Sequence, residues 1–164
     1  TDPVTNEKFI PHVIEPTFGI DRMLLVSLLE AYHEEDVPAL EKGKSASAEA
    51  MADEAEKRIV MKFPKHLAPI KVAVLPLLKN KKELVKKARE VYDLIKPHFM
   101  TLYDESGTIG RRYRRQDEIG TIFCLTLDFD SLKQNDLTIR DRDTMKQKRV
   151  KIEELVNYLK EKYA

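Results

Sequence analysis

The chain has 164 residues, 42% of them hydrophobic and 35% charged, a length that suits one ordinary domain plus an appendage. Lys+Arg number 29 against 28 Asp+Glu, yet the net charge of +1 hides an asymmetry. Residues 1–29 carry two basic and four acidic side chains, residues 30–56 two and nine, and residues 57–164 twenty-five and fifteen, a net +10. An acidic front joined to a basic back points to a polyanionic partner for the back half. No apolar stretch approaches the roughly 18–20 residues that span a bilayer, and no basic-then-apolar leader is visible. The single cysteine, Cys124, allows neither an internal disulfide nor a cysteine metal cage, which fits a reducing, cytosolic setting. A chain that begins at Thr1 reads as a processed or excised piece of something longer.

The segment Phe9–Glu15 is rich in β-branched residues and predicts a short strand, interrupted by Pro11. Pro16, Thr17 and Gly19 then form a turn. From Ile20 to Tyr32 the sequence is apolar on almost every side, the mark of a helix buried all round; its expected neighbours lie upstream. Residues 34–58 are acidic and Ala/Ser-rich, and read as an insertion or linker with a weak helix at Ser47–Arg58.

After Pro64 the pattern becomes regular. Ile70–Leu78 is a continuous apolar run suited to a buried parallel strand. Lys81–Lys96 places Leu84, Ala88, Val91 and Ile95 on one stripe of an amphipathic helix. A strand at Phe99–Tyr103, a turn at Asp104–Gly107 and a helix at Thr108–Glu118 follow, with Gly120 as the left-handed stop. Thr121–Asp128 is a third strand, Asp136–Thr144 and Lys146–Ile152 an antiparallel pair, and Glu153–Lys162 a closing helix. The order β-α-β-α-β-β-β-α gives an α/β domain, a mixed sheet layered with helices.

Three clusters carry charge in a pattern that chemistry can use. In Pro11–Arg22, Glu15 and Thr17 share one side of an extended segment and Arg22 sits in the first turn of the next helix, a good place to meet phosphate; a surface ion pair of Glu15 or Asp21 with Arg22 explains the same spacing. Arg111, Arg112, Arg114 and Arg115 surround Tyr113 on a helix that follows a strand, a surface for phosphates and stacked bases, unless these arginines pair with Asp117 and Glu118 one turn later. Arg140 and Arg142 alternate with Asp141 and Asp143 along a strand, where cross-strand ion pairing competes with anion binding. His12, His33, His66 and His98 are scattered and support no metal site.

Taken together, the strings Pro11-His-Val-Ile-Glu-Pro-Thr-Phe-Gly-Ile-Asp-Arg22, Leu67-Ala-Pro-Ile-Lys-Val-Ala-Val-Leu-Pro-Leu77, Gly107-Thr-Ile-Gly-Arg-Arg-Tyr-Arg-Arg-Gln-Asp-Glu-Ile-Gly-Thr121 and Thr138-Ile-Arg-Asp-Arg-Asp-Thr-Met145 resemble the C-terminal part of the glycyl-tRNA synthetases. The first is similar to motif 3 of class II synthetases, the rest to the class IIa anticodon-binding domain. The likeness covers residues 5–33 and 59–164. It implies a division into the end of a catalytic domain at 1–33, an acidic insertion or linker at 34–58, and an anticodon-binding domain at 59–164. That last domain is expected to be a three-layer fold with a mixed five-stranded sheet flanked by helices, preceded by the strand and helix of the catalytic piece.

The resemblance also implies roles. Arg22 contacts ATP phosphate and is the catalytic residue, Glu15 receives the ammonium of glycine, and Thr17 lines the amino-acid pocket where the family usually has serine. Arg111, Arg112, Tyr113, Arg115, Arg140 and Arg142 are the expected tRNA contacts, with Arg114 reserved for a structural pair. Implied partners are tRNA(Gly), glycine and ATP with Mg2+, in a cytoplasmic homodimer with no membrane. Motifs 1 and 2 have no counterpart here, so the chain alone is expected to be inactive as a ligase. A non-catalytic RNA-binding module on the same fold is the competing reading.

Overall fold

The computed structural model describes residues 1–36 and 57–163. The weak helix expected at Ser47–Arg58 falls mostly outside those residues.

The basic half is a three-layer α/β domain. Its sheet has the order β4-β3-β5-β6-β7, built from β3 (Val72–Pro76), β4 (Thr101–Tyr103), β5 (Phe123–Leu127), β6 (Asp136–Asp141) and β7 (Gln147–Lys151). Strand β3 pairs in parallel with β4 and β5, while β5–β6 and β6–β7 are antiparallel. Every residue of β3 and β5 is buried, as expected for central strands covered on both faces. On one face α2 (Lys82–Ile95) lays down Leu84, Ala88, Val91 and Ile95, all buried, and α5 (Leu155–Tyr163) adds Leu155 and Leu159. Helix α3 (Ile109–Ile119) covers the other face, where Ile109 and Tyr113 meet Ala73, Leu75 and Cys124. Burial of the two full-size aliphatics on the α2 stripe, Leu84 and Ile95, contributes about 1.5–3 kcal/mol each.

Local chemistry fixes the ends. Thr108 caps α3 through its side-chain oxygen, and Gly120 ends it at φ 84°. A Cβ on Gly120 would lie 2.7 Å from the Met61 carbonyl, so both the backbone angle and the close approach require glycine. A short helix, α4 (Phe129–Gln134), joins β5 to β6. Asp128 caps it in a capping box with Ser131, and Arg149 of β7 grips Asp128 (2.8 and 3.1 Å) and Asp136 (3.0 and 2.6 Å). Arg149 thereby holds the Asp128 carboxyl at about 2, and that of Asp136 below the usual carboxylate range. Since a depressed folded-state pKa stabilises above the unfolded value and is lost as pH falls through the folded one, wild-type stability should fall between the ordinary value near 3.8 and about 2. In Arg149→Ala the stability at neutral pH should be lower and this acid slope flatter, so that the two proteins converge near the acid end. Urea denaturation along a pH series measures both curves.

Two features of the front half differ from expectation. Residues 6–19 form no regular secondary structure, because a strand needs a pairing partner and none lies beside Phe9–Glu15 among the described residues. Helix α1 (Ile20–Ala31) forms, but Ala31 is its only buried residue; Ile20, Met23, Leu24, Leu25, Val26 and Leu29 are more than half exposed. The sequence pattern asks for burial on all sides, and the described residues supply no cover.

The chain then enters a hairpin, β1 (Tyr32–Asp36) antiparallel to β2 (Lys57–Met61), which packs on the outer side of α3. The boundary drawn between residues 58 and 59 therefore falls inside β2. The hairpin strands go with the sheet domain, and Arg58 is fully buried there.

Candidate nucleic-acid interface

Helix α3 lies between the sheet and the hairpin, and this sorts its arginines. At about 100° per residue, the arc holding Arg112, Gln116 and Asp117 is buried, while Arg111 and Glu118 are exposed and Arg114 and Arg115 partly so. Arg111 and Arg115, one turn apart, share the outer face as expected. Arg115 is tethered: its Nε and Nη2 donate to Asp104 (3.1 and 2.6 Å) and its Nη2 to the Ser106 carbonyl (2.6 Å). Arg115 thus braces the loop that follows β4 while leaving its side chain 41% exposed. Arg114 approaches Asp117 (3.9 Å), so it has a structural partner one turn along.

The other expected RNA contacts turn inward, which corrects the sequence reading. Arg112 is 1% exposed; it donates to the Pro76 carbonyl at the end of β3 and to the Gly107 carbonyl (2.8 Å), tying together the loops after β3 and β4. Desolvation lowers its pKa from the ordinary arginine value. Tyr113 faces the sheet, with its hydroxyl 2.6 Å from Thr126 Oγ1 and the Arg140 guanidinium 4.9 Å from its ring centroid. One ring face is therefore occupied rather than offered to a base. Arg140 is 1% exposed and pairs with Asp117 (2.9 and 3.3 Å). Arg142, 4% exposed, donates to the carbonyls of Met61 (3.0 Å), Gly120 (3.1 Å) and Phe63 (2.9 Å). The physical reason is packing: Arg140 and Arg142 reach the region where hairpin, helix and sheet meet, Arg112 and Tyr113 lie on the side of α3 turned to the sheet and its loops, and carbonyls or a carboxylate compensate the burial of each guanidinium.

The centre of this buried network is Asp117. Besides Arg140, its Oδ2 accepts from Arg58 Nη1 (3.1 Å). Arg58 extends the chain by donating to Glu35 (3.1 and 2.6 Å) and to the Arg142 carbonyl (3.0 Å). Glu35 also pairs with Lys62. Burial raises the Glu35 carboxyl, but Lys62 and Arg58 outweigh it and hold it below the usual range. Neither Arg58 nor the centrality of Asp117 is evident from spacing, since the partners are 59 and 23 residues away.

The motif residues of the front half stand apart from this domain's arginines. Glu15, Thr17 and Arg22 are all exposed. Thr17 and Arg22 border one shallow depression with Phe18, Gly19, Met23, Val26 and Ser27. Glu15 is not among its lining residues. The arrangement presents one cation and two hydroxyls, those of Thr17 and Ser27, on an open apolar wall. Among the described residues, no group of three or more His, Cys, Asp or Glu is placed to hold a metal ion, and no helix is long and apolar enough to cross a membrane.

Residues 71–162 match the family model described as "Anticodon binding domain", more than half of the chain. The chain belongs to the anticodon-binding-domain family. As a member, it is similar over nearly its whole length to proteins named glycine–tRNA ligase. The identity is 53% over 161 residues to that of Clostridium acetobutylicum, covering 98% of this chain and 31% of that protein. It is 49% over 162 residues to that of Caldanaerobacter subterraneus, covering 99% and 31%. The chain thus spans about a third of the length of these relatives. The fold of this anticodon-binding domain also matches a solved structure, the RNA binding domain of threonyl-tRNA synthetase from Cryptosporidium parvum. That match has a TM-score of 0.54 and 23% identity, covering 61% of this chain and 25% of the other.

Proposed function

We propose that this chain is the tRNA-recognising part of a glycine–tRNA ligase, and that residues 57–163 bind the anticodon arm of tRNA(Gly). The observation that carries this reading is the outward face of α3, where Arg111 and Arg115 stand beside the loops at the carboxyl ends of the parallel strands, on a domain with a net charge of +10. Phosphate contacts from such a face fix register on the RNA, and nearby loops read bases. In the intact protein, glycine and ATP with Mg2+ are the substrates, the enzyme is a cytoplasmic homodimer, and residues 9–31 form one wall of the catalytic site. Glu15 receives the glycine ammonium there, Thr17 lines the pocket and Arg22 meets the ATP phosphates. The exposed apolar surface of α1 is consistent with that assignment, since a helix apolar on all sides needs cover.

The test is a titration of the folded chain with tRNA(Gly) and with the same tRNA carrying a foreign anticodon, at several fixed salt concentrations. The native anticodon should bind more tightly. Arg111→Ala should weaken both complexes and lower the log–log salt slope by about 0.7–0.9, the change for one phosphate contact. Arg115→Ala should weaken binding too, in part by releasing Asp104 and Ser106. Equal affinity for the two tRNAs would remove the anticodon-reading claim.

A further inference from the structure

The motif helix and the RNA-facing helix are joined through regular structure rather than a loose connection. Helix α1, which carries Arg22, ends at Ala31, and β1 begins at the next residue, Tyr32. The joint is clamped. Ala31 is 2% exposed, and its carbonyl, one of the helix-end acceptors that otherwise lack a partner, accepts from the Lys62 amide (2.6 Å). That bond carries the β1–β2 ladder one step past the strands and onto the helix. On the other side of the hairpin, Arg58 crosses from β2 to α3. Its Nη1 donates to Asp117 (3.1 Å) and to the Arg142 carbonyl (3.0 Å), while its Nε and Nη2 donate to Glu35 of β1 (3.1 and 2.6 Å). Arg142 in turn donates to the carbonyls of Met61 and Phe63. Gly120, at the end of α3, approaches the Met61 carbonyl so closely that no side chain fits between them.

A buried guanidinium bonded to both hairpin and helix holds the two in one geometry, because releasing either leaves donors and charge unmet away from water. Stability alone does not call for such an arrangement, since well-packed apolar groups of similar volume do as well as a buried ion pair. What it adds is a fixed direction between α1 and α3. We propose that Arg58, together with Glu35, is a positioning residue for the transfer of glycine to tRNA. It sets the angle between the motif helix α1 and the RNA-binding helix α3, so that a tRNA held at Arg111 and Arg115 presents its acceptor end to the catalytic site. Anticodon and acceptor end are the two extremes of a tRNA, so a small tilt at the joint becomes a large displacement at the reacting end. There a misplacement of about 1 Å can cost about a hundredfold in rate. Adenylate formation involves only glycine and ATP and does not depend on this angle. The inference rests on the reading of the chain as part of a glycine–tRNA ligase, and deepens it by giving residues that touch neither RNA nor ATP a role in one step and not in the other.

The experiment uses the full-length protein and compares glycine-dependent ATP–pyrophosphate exchange without tRNA, affinity for a synthetic anticodon stem-loop, and charging of whole tRNA(Gly). Arg58→Met cuts the link yet leaves each carboxylate a cation, since Glu35 retains Lys62 and Asp117 retains Arg140. Exchange and stem-loop affinity should match wild type, while kcat for charging falls about ten- to a hundredfold with KM for tRNA little changed. Arg58→Lys keeps the charge but lacks the fork that reaches several acceptors, so it should restore little of the rate. Inserting two glycines between Ala31 and Tyr32 loosens the joint itself, alters no side chain of the network, and should give the same split; it decides the matter if Arg58→Met does not fold. A role in folding alone would lower all three measurements together, along with the urea midpoint, and that outcome overturns the proposal. So does normal charging in the variants, or a loss confined to stem-loop binding. If the wild-type protein charges no tRNA(Gly), the ligase reading itself fails, and the positioning role with it.

Discussion

Asp117→Ala should cost the chain about 3–5 kcal/mol of folding stability, the range for breaking a buried ion pair by removing one partner. The magnitude follows from what is left behind. Asp117 is the carboxylate shared by Arg140, held through two contacts, and Arg58, and both guanidinium groups are essentially without solvent contact. Arg58 keeps Glu35 as a second partner. Arg140 donates to both carboxylate oxygens of Asp117 (2.9 and 3.3 Å), so removing Asp117 takes two charge-assisted bonds from a buried guanidinium. Asp117→Asn keeps the shape and one acceptor oxygen and should fall between wild type and alanine. Replacing the three groups together, as Asp117→Leu with Arg58→Met and Arg140→Met, should recover much of the loss, because apolar groups of similar volume avoid the desolvation that the charges incur. Urea midpoints at constant m-value measure all of this. A loss below about 1 kcal/mol for Asp117→Ala would mean that solvent reaches the network and that the arginines are not structural.

The same network explains which parts of the molecule were legible in sequence. The α2 stripe of Leu84, Ala88, Val91 and Ile95 was readable because helical periodicity and burial are one signal seen twice. The apolar runs of β3 and β5, and the stop at Gly120, are equally local. The arginine strings were readable as charge but not as direction. Arg111 and Arg112 are neighbours in sequence and opposite in fate, since 100° of helix rotation takes one to solvent and the other to the carbonyls of Pro76 and Gly107. The direction of rotation depends on the β1–β2 hairpin, which covers the second side of α3 and whose packing on α3 has no local signature. Arg140 and Arg142 illustrate the same limit. Alternation on a strand correctly separates them from Asp141 and Asp143, and an ion pair was the competing reading, but the Arg140 partner sits on a helix and not on the next strand. Helix α4 escaped because its six residues are too few for periodicity; the capping box, Asp128 with Ser131, was the available signal. The strand expected at Phe9–Glu15 failed for the opposite reason, since its composition is right and its partner is missing from the described residues.

In the full-length protein, Arg22→Ala should depress glycine-dependent ATP–pyrophosphate exchange by roughly two to three orders of magnitude, the scale of losing one preorganised charge contact to a reacting phosphate. The expectation rests on the proposed role of residues 9–31. In this chain Arg22 is exposed beside Thr17 and Phe18 at the start of α1, with an open apolar wall around it and no opposing surface described. A guanidinium in that setting is solvated and mobile, and worth little; the same group against a covering wall acts where water no longer screens it. For this reason the chain by itself should give no exchange above background, since one cation and two hydroxyls on an open surface neither position glycine nor hold the triphosphate in line for attack. Arg22→Lys separates charge from geometry. If the fork of the guanidinium matters, lysine should recover only a small part of the lost rate. Binding of tRNA(Gly) should be unaffected by either variant, because Arg22 lies on α1, away from the outer face of α3 that carries Arg111 and Arg115. An exchange rate within tenfold of wild type in Arg22→Ala would leave the helix as a structural piece of the intact enzyme and move the phosphate contact to another residue.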